Sequence, residues 1–297
     1  MCDLGHNADP APLPIIRALV GVEAGLAETK TLVKIGEGRE AEMFAWGDGT
    51  ILRLLRNSDG QRQNEMQAAA IEAAAACGVR VPTVFSAATV MGRPGLVMER
   101  IEGADYLTLM GKQPWLVFSV GSLSGRVHAK LHEAVASDAL PELRALLRAR
   151  IQTCARLPQH LAQFAIERLE ALPDGDRLCH GDFHPGNLLR SKGGPVVIDW
   201  TNATRGDPDA DVARTDLMLR VGEPPPGSPV IVRVLARIGG RILLWRYLSA
   251  YRRGRPVSDQ ALSSWAVPIA AARIAEGIES EFPTLLTFLE REFAASR

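Results

Sequence analysis

Apolar positions between Thr31 and Met98 fall in short, punctuated runs: TLVKIG, AEMFAW and ILRLLR, the last two separated by the turn GDG. Two apolar runs on either side of a glycine turn predict a β-hairpin. Gln61 to Cys77 is rich in alanine and stopped by Gly78, which predicts a helix, and VRVPTVFSA and GRPGLVMERIEG supply two more strand candidates. Beyond Gly103 the period lengthens. Leu116, Val120, Leu123, Val127 and Leu131 step by three or four residues and would line one buried helical face. Helical stretches follow at Leu143 to Leu157 and Leu161 to Leu172, then a short β island made of RLCHGDFHPGNLL, a turn at SKGG, and PVVIDWTN. Asp207 before Pro208 suits a helix start, since the carboxylate caps free amides and proline fits the first turn. Val212 to Val221, Val230 to Tyr251 and Asp259 to Phe293 complete the helical pattern, separated by EPPPGSP and RRGRPVS.

This order predicts an α+β chain of two lobes. Residues 1–98 form a small antiparallel β-sheet with one helix, 99–105 a connector, and 106–297 a mainly helical lobe that carries a β-hairpin. The expected ligand site is a cleft between the lobes.

Composition narrows the function classes. Across 297 residues, 34 basic side chains balance 34 acidic ones, so no global charge favours nucleic acid or an anionic membrane. No run approaches the eighteen or so apolar residues of a membrane span. The opening MCDLGHNADPAPLPIIRALVG is acidic before it is basic and is broken by prolines, unlike a signal peptide. Cys2, Cys77, Cys154 and Cys179 form no CxxC pair and read as reduced thiols in the cytoplasm. No obligate protein partner is indicated.

The chemistry concentrates in CHGDFHPGNLL, Cys179 to Leu189. Asp182 and Asn187 have the spacing of the D-x-x-x-x-N catalytic loop of kinase-type phosphotransferases. A loop bent at Pro185-Gly186 can aim the carboxylate at an acceptor hydroxyl while the asparagine oxygen ligates magnesium. Asp199, ending the apolar run VVIDW, would supply a second oxygen ligand. Two other readings compete: a polar turn in which Asx side chains bond their own backbone, and a metallohydrolase array of His180, Asp182 and His184. His128 and His132, one turn apart, could bind a metal, although a helix-surface pair is commoner, and Trp245 and Trp265 read as core.

HGDFHPGN, VVIDW and GDPDADVA together resemble the aminoglycoside phosphotransferase superfamily, the phosphotransferase enzyme family, over roughly Thr31 to Glu281. The resemblance implies a protein-kinase-like fold and transfer of the γ-phosphate of ATP or GTP to a hydroxyl of a small molecule such as an aminoglycoside, sugar or amino alcohol. It implies Asp182 as catalytic base, Asn187 and Asp199 as Mg2+ ligands, His180 and His184 as loop framework, and Asp211 as a brace. In the N-terminal lobe it implies a phosphate cover through Gly36 and Gly38, with Ala41 in place of the third glycine. Arg53 stands where the family often has the phosphate-binding lysine. Glu65 is assigned as the acidic helix partner, although alignment on GVRVP puts Gln67 at the usual position. LVMERIEG resembles the hinge, where the backbone of Glu99 to Ile101 would meet the nucleotide base. A catalytically silent nucleotide-binding protein is the alternative that the missing lysine and third glycine would favour.

Overall fold

The computed structural model describes residues 15–21, 27–38, 40–221 and 230–297. The chain divides into two compact units. The first comprises the described residues up to Glu65 together with Thr83–Arg100, the second Met66–Pro82 together with Ile101–Arg297.

The first unit contains β1 (Ile15–Gly21), β2 (Ala27–Glu37), β3 (Ala41–Gly47), β4 (Thr50–Leu55), the start of α1 (Gln61–Ala76), β5 (Val84–Val90) and β6 (Arg93–Glu99). The strands close into an antiparallel barrel in the order β1-β2-β3-β4-β6-β5. Leu32, Phe44, Leu52, Leu54, Ala88, Val90 and Val97 form its core. Successive strand residues point to opposite faces, so Arg53 lies across the sheet from Leu52 and Leu54. The predicted hairpin turn is present, with Gly49 at φ 69°. β1 was not among the predicted strands. Its pairing of Val20 with Val90 joins segments far apart in sequence, which local patterning does not register.

The second unit contains the remainder of α1, α2 (Tyr106–Lys112), α3 (Val117–Leu131), α4 (Leu143–Thr153), α5 (Gln159–Glu170), β7 (Arg177–Cys179), β8 (Leu188–Ser191), β9 (Gly194–Val197), β10 (Thr204–Gly206), α6 (Pro208–Val221), α7 (Val230–Gly254), α8 (Asp259–Ile274) and α9 (Phe282–Ala295). Residues 66–82 belong to this unit for a visible reason. After α1, Arg80 accepts the Val197 amide at 2.9 Å and donates to Ser191 Oγ at 3.3 Å, joining the segment to the β8–β9 hairpin.

α3 and α7 run in the same direction in close contact. A Cβ on Gly121 would stand 2.7 Å from the Leu243 carbonyl oxygen, and one on Gly125 would stand 2.2 Å from that of Tyr247, so only glycine lets the backbones approach this far. α8 packs against α4, α5, α6 and α9. The single helical stretch expected from Asp259 to Phe293 is two helices, because Gly277 turns the chain at φ 72° and Pro283 opens the next helix. Trp265 is buried as expected, but Trp245 is 63% exposed: Leu243, Leu244 and Tyr247 take the inward face of α7, and Trp245 lies beneath the Arg246 guanidinium.

Candidate active site

The loop after β7 is held by one face of α6. Asp211, Arg214 and Thr215 stand at i, i+3 and i+4, the spacing that aligns helical side chains. Asp211 accepts the backbone amides of His180 at 2.5 Å and Gly181 at 3.0 Å. Arg214 Nε donates to the Gly181 carbonyl, and Thr215 Oγ1 donates to that of Phe183 at 2.9 Å. Gly181 has φ 74°, and a Cβ there would stand 2.1 Å from the Asn202 carbonyl oxygen, so the turn excludes any other residue.

Within the loop, His180 Nε2–H donates to the Ile198 carbonyl at 3.0 Å, and its Nδ1 accepts the Asp182 amide at 3.2 Å. His184 Nδ1 accepts the Gly186 amide at 3.0 Å, capping the short 3-10 turn Pro185–Asn187. Both rings are thus committed to loop geometry. Asn187 Nδ2 donates to the Asp182 backbone oxygen at 2.8 Å and to its carboxylate Oδ2 at 3.3 Å, and among the described residues the amide Oδ1 accepts no hydrogen bond. The Ile198 amide donates to the Asn187 carbonyl at 3.0 Å, linking the turn to the next segment. Asp199 there is exposed at φ 62°, a left-handed conformation rare outside glycine, and accepts Thr201 Oγ1 at 2.8 Å on Oδ1.

Burial opposes ionisation of Asp182, but His184, then Arg214 and His180, hold its carboxyl well below the usual range. His184 Nε2 lies 3.7 Å from Asp182 Oδ2, too long for a hydrogen bond, so the attraction is that of a nearby dipole or charge. Uncommitted oxygens on Asn187 and Asp199 are the hard, compact donors that suit magnesium, so the residues present fit that ion.

Beneath the loop lies a network that the sequence did not disclose. His128 and His132 are completely buried rather than a helix-surface pair. Their Nε2 atoms lie 3.0 and 3.3 Å from Asp211 Oδ2, and their Nδ1 atoms each lie 2.7 Å from a phenol, Tyr247 and Tyr251 respectively. One proton assignment satisfies every member: each phenol donates to Nδ1, and each Nε2–H donates to Asp211. The carboxylate thereby takes four donors, those of His128 and His132 chief among the side chains, which overcome burial and keep its pKa well below normal. Burial, chiefly, and His132 push His128 down to about 3. These three side chains form the potential metal-ligating group among the described residues, and the bonds just named close it without an ion. The His180, Asp182 and His184 array does not form one.

A pH dependence follows. Because His128 stays neutral in the fold while an imidazole in the unfolded chain titrates near its ordinary 6.5, the unfolded chain binds the proton more readily between about 6.5 and about 3. Stability therefore declines as pH falls from about 6.5 towards 3, by at most about 1.4 kcal/mol per pH unit for that group. Denaturant melts across pH 4 to 8 check this, and His128→Phe should flatten the slope.

In the first unit, Gly38 N donates to the Ala41 carbonyl at 2.8 Å, closing the β2–β3 turn; residue 39 lies outside the described residues. A Cβ on Gly36 or Gly38 would meet nothing closer than 3.9 Å, so the fold itself does not require glycine there. Lys34, Arg56 and Arg93 surround Glu42 beside this turn. Arg53 is buried, at 4% exposure. Glu65 is exposed and accepts Gln61 Nε2 at 3.2 Å within its own helix, whereas Gln67 is the buried position. Glu99 Oε2 accepts both the amide and hydroxyl of Thr83 at 3.1 Å, and the following Arg100 amide bonds to Gly49; Ile101 begins the next stretch of the second unit.

Arg214, Thr215 and the two tyrosines are the functional neighbours that motif reading missed. The 211, 214, 215 spacing within GDPDADVARTD was a usable signal for the first two.

A profile described as the phosphotransferase enzyme family matches residues 31–257. Comparison of the sequence with curated proteins gives no match. Among solved structures, an amicoumacin kinase in complex with AMP-PNP, Ca2+ and amicoumacin superposes with TM-score 0.61 at 13% identity, over 88% of this chain and 87% of that one. A thermostable variant of aminoglycoside phosphotransferase APH(4)-Ia, in ternary complex with AMP-PNP and hygromycin B, gives TM-score 0.59 at 16% identity, over 89% and 92%. A GDP and kanamycin complex of an APH(2") enzyme gives TM-score 0.55 at 16% identity, over 90% and 94%. At such identities the likeness is one of fold, the kinase-like one expected.

Proposed function

The chain belongs to the phosphotransferase enzyme family, and from that premise we propose that it moves the γ-phosphate of ATP or GTP to a hydroxyl of a small molecule with Asp182 as base. The observation that carries this reading is the lock between Asn187 and Asp182. One amide nitrogen fixes the aspartate through both its backbone and its side chain, and the other end of the same amide is free to ligate.

In this scheme Asp182 accepts a hydrogen bond from the acceptor hydroxyl and aligns its oxygen with the γ-phosphorus. The new oxygen–phosphorus bond forms as the bond to the β-phosphate oxygen breaks, and the hydroxyl proton passes to Asp182. A carboxylate with so depressed a pKa is a weak base. It takes the proton late, once bonding to phosphorus has acidified the hydroxyl, and positioning contributes most of the rate. Asn187 Oδ1 and Asp199 Oδ2 would hold Mg2+, which when bound neutralises phosphate charge. Arg53 would contact phosphate oxygens, the open glycine turn at Gly36 and Gly38 would admit close approach of the phosphates, and the Glu99 to Ile101 backbone would meet the base.

Thermal melts with ATP or GTP plus magnesium, against zinc alone, test this. Mg-nucleotide at about a hundredfold excess over its Kd should add about 2.7 kcal/mol of stability. Asp199→Ala should remove the magnesium-dependent part. Stabilisation by zinc alone would overturn the reading. Binding without turnover would instead assign a silent nucleotide-binding protein, the alternative favoured by the solvent-facing position of Glu65.

A further inference from the structure

Charge is balanced over the whole chain but not along it. Residues 106–132 and α7 together hold nine basic side chains and no acidic one. The two stretches are neighbours in space, because α3 and α7 pack against each other. Five of the ten large apolar side chains that stand exposed among the described residues belong to the same stretches: Trp115, Phe118, Val234, Ile238 and Trp245, each between 45% and 66% exposed. Neither the loop around Asp182 nor its brace uses any of the five.

On α7 these residues share one line. Val234, Ile238, Arg241 and Trp245 stand at i, i+4, i+7 and i+11, which places them on one face over about 16 Å of helix. The buried Leu243, Tyr247 and Ala250 take the opposite face, so the stripe points away from the core. Arg241 is exposed within it. Arg246 lies over the Trp245 ring and donates to the Phe118 carbonyl at 3.2 Å and to Ser122 Oγ at 3.0 Å, which ties the start of α3 to the stripe. Among the described residues neither arginine meets a carboxylate. The nearby acids are engaged or lie elsewhere. Asp216 on the adjoining α6 is gripped by Arg220 at 2.6 and 3.0 Å, and Asp209 lines a recess with Arg252 and Val257 at the far end of α7. Glu133 and Asp259 meet Lys130 and Arg252, also beyond the stripe.

We propose that this face docks on an anionic phospholipid membrane, with the apolar stripe entering the boundary between headgroups and acyl chains and Arg241 and Arg246 meeting lipid phosphates. The contact is one of surfaces, and no helix among the described residues is long and apolar enough to cross a membrane. Charge and shape select this occupant. A second copy of the chain would set arginine against arginine, with no acid in either stretch to match it. A nucleic acid would engage the arginines and tryptophans but gains nothing from Val234 and Ile238. A protein partner draws affinity from side chains that fill pockets, whereas these stand on the convex outer face of a helix. A bilayer interface takes tryptophan, aliphatic and arginine side chains from a single line. The inference is independent of the reaction at Asp182.

Co-sedimentation of the full chain with vesicles tests it. Phosphatidylcholine vesicles carrying phosphatidylserine should bind the protein at least about tenfold more strongly than pure phosphatidylcholine, since each cation near such a surface contributes about fivefold. Raised salt should weaken that binding. Arg241→Gln should lower the partition coefficient about fivefold, and Arg241→Lys, which keeps the charge, should preserve it. Trp245→Ser should lower it about tenfold through the lost apolar burial. Both positions face solvent, so the thermal midpoint should hold in each variant. Equal binding to the two kinds of vesicle, binding to neither, or binding undiminished in Arg241→Gln or in Trp245→Ser overturns the proposal. With vesicle binding absent, capture of polyglutamate would assign the face to an acidic protein, and capture of a single-stranded oligonucleotide to nucleic acid. Dimerisation lost in Trp245→Ser, again without vesicle binding, would assign it to a second copy.

Discussion

Asp182→Ala should lower kcat by about two to four decades, the scale of a positioned general base. The KM for nucleotide should move little, since in the proposed scheme the carboxylate meets the acceptor rather than the nucleotide. The loop should survive the substitution. Asn187 keeps its 2.8 Å bond to the backbone oxygen of residue 182, and the grip of Asp211 on the His180 and Gly181 amides does not involve the lost side chain. A kcat reduced to that degree with an almost unchanged thermal midpoint therefore identifies chemistry rather than folding. Because His184, Arg214 and His180 outweigh burial and keep the Asp182 carboxyl well below its ordinary range, it stays ionised through neutral and mildly acidic pH. Any acidic limb in the kcat profile above pH 5 must belong to another group. Full turnover in Asp182→Ala would take this residue out of the mechanism.

Asp211→Ala should have the largest effect on stability. Its carboxylate takes two backbone amides and two imidazole N–H groups in a site closed to water, and alanine leaves all four donors without an acceptor. Breaking a buried ionic network by removing one partner costs roughly 3 to 5 kcal/mol. Against a total stability of about 5 to 15 kcal/mol, that lowers the melting temperature by on the order of 10 °C. Turnover should fall as well, since Gly181 and Asp182 lose the anchor that sets their backbone. Calorimetry and kcat on the same preparation check both parts. A variant that melts within a degree of the parent would show that the donors find other partners and that the brace is not structural.

The loop proposed to carry the chemistry was legible as a motif because its signals are local. Asp182, Asn187 and Asp199 sit in a motif whose spacing follows from a single bent loop and an adjoining hairpin. The glycine turn of β3–β4, the alanine-rich α1 and the existence of α3 likewise follow from periodicity and turn chemistry over a few residues, although the buried face of α3 was misplaced. Of the five stepping residues only Val120 and Leu131 are buried, and Gly121, Ser124, Gly125 and His128 take the inner face because α7 approaches too closely for large side chains. The reading of HGDFHPGN with VVIDW was enough to reach the family, which the profile match supports independently.

What the sequence could not determine depends on distance along the chain. β1 finds β5, and two histidines on α3 meet an aspartate on α6 and two tyrosines on α7; none of these encounters leaves a local periodic trace. Residue type even pointed the wrong way, since a histidine pair one turn apart is usually solvated, and Trp245 carries more apolar surface than its exposed position on α7 buries. The pairing of Glu276 with Arg150, Arg214 and Arg273, of Glu279 with Arg156 and of Glu281 with Arg273 likewise became visible only when α4, α6, α8 and the chain beyond α8 were brought together. Composition counts charges without saying which are already matched. Sequence alone determined the family, through motifs whose residues share one loop and the hairpin beside it; the tertiary structure decided how that loop is braced, because Asp211, His128 and the two tyrosines meet only when three helices pack together.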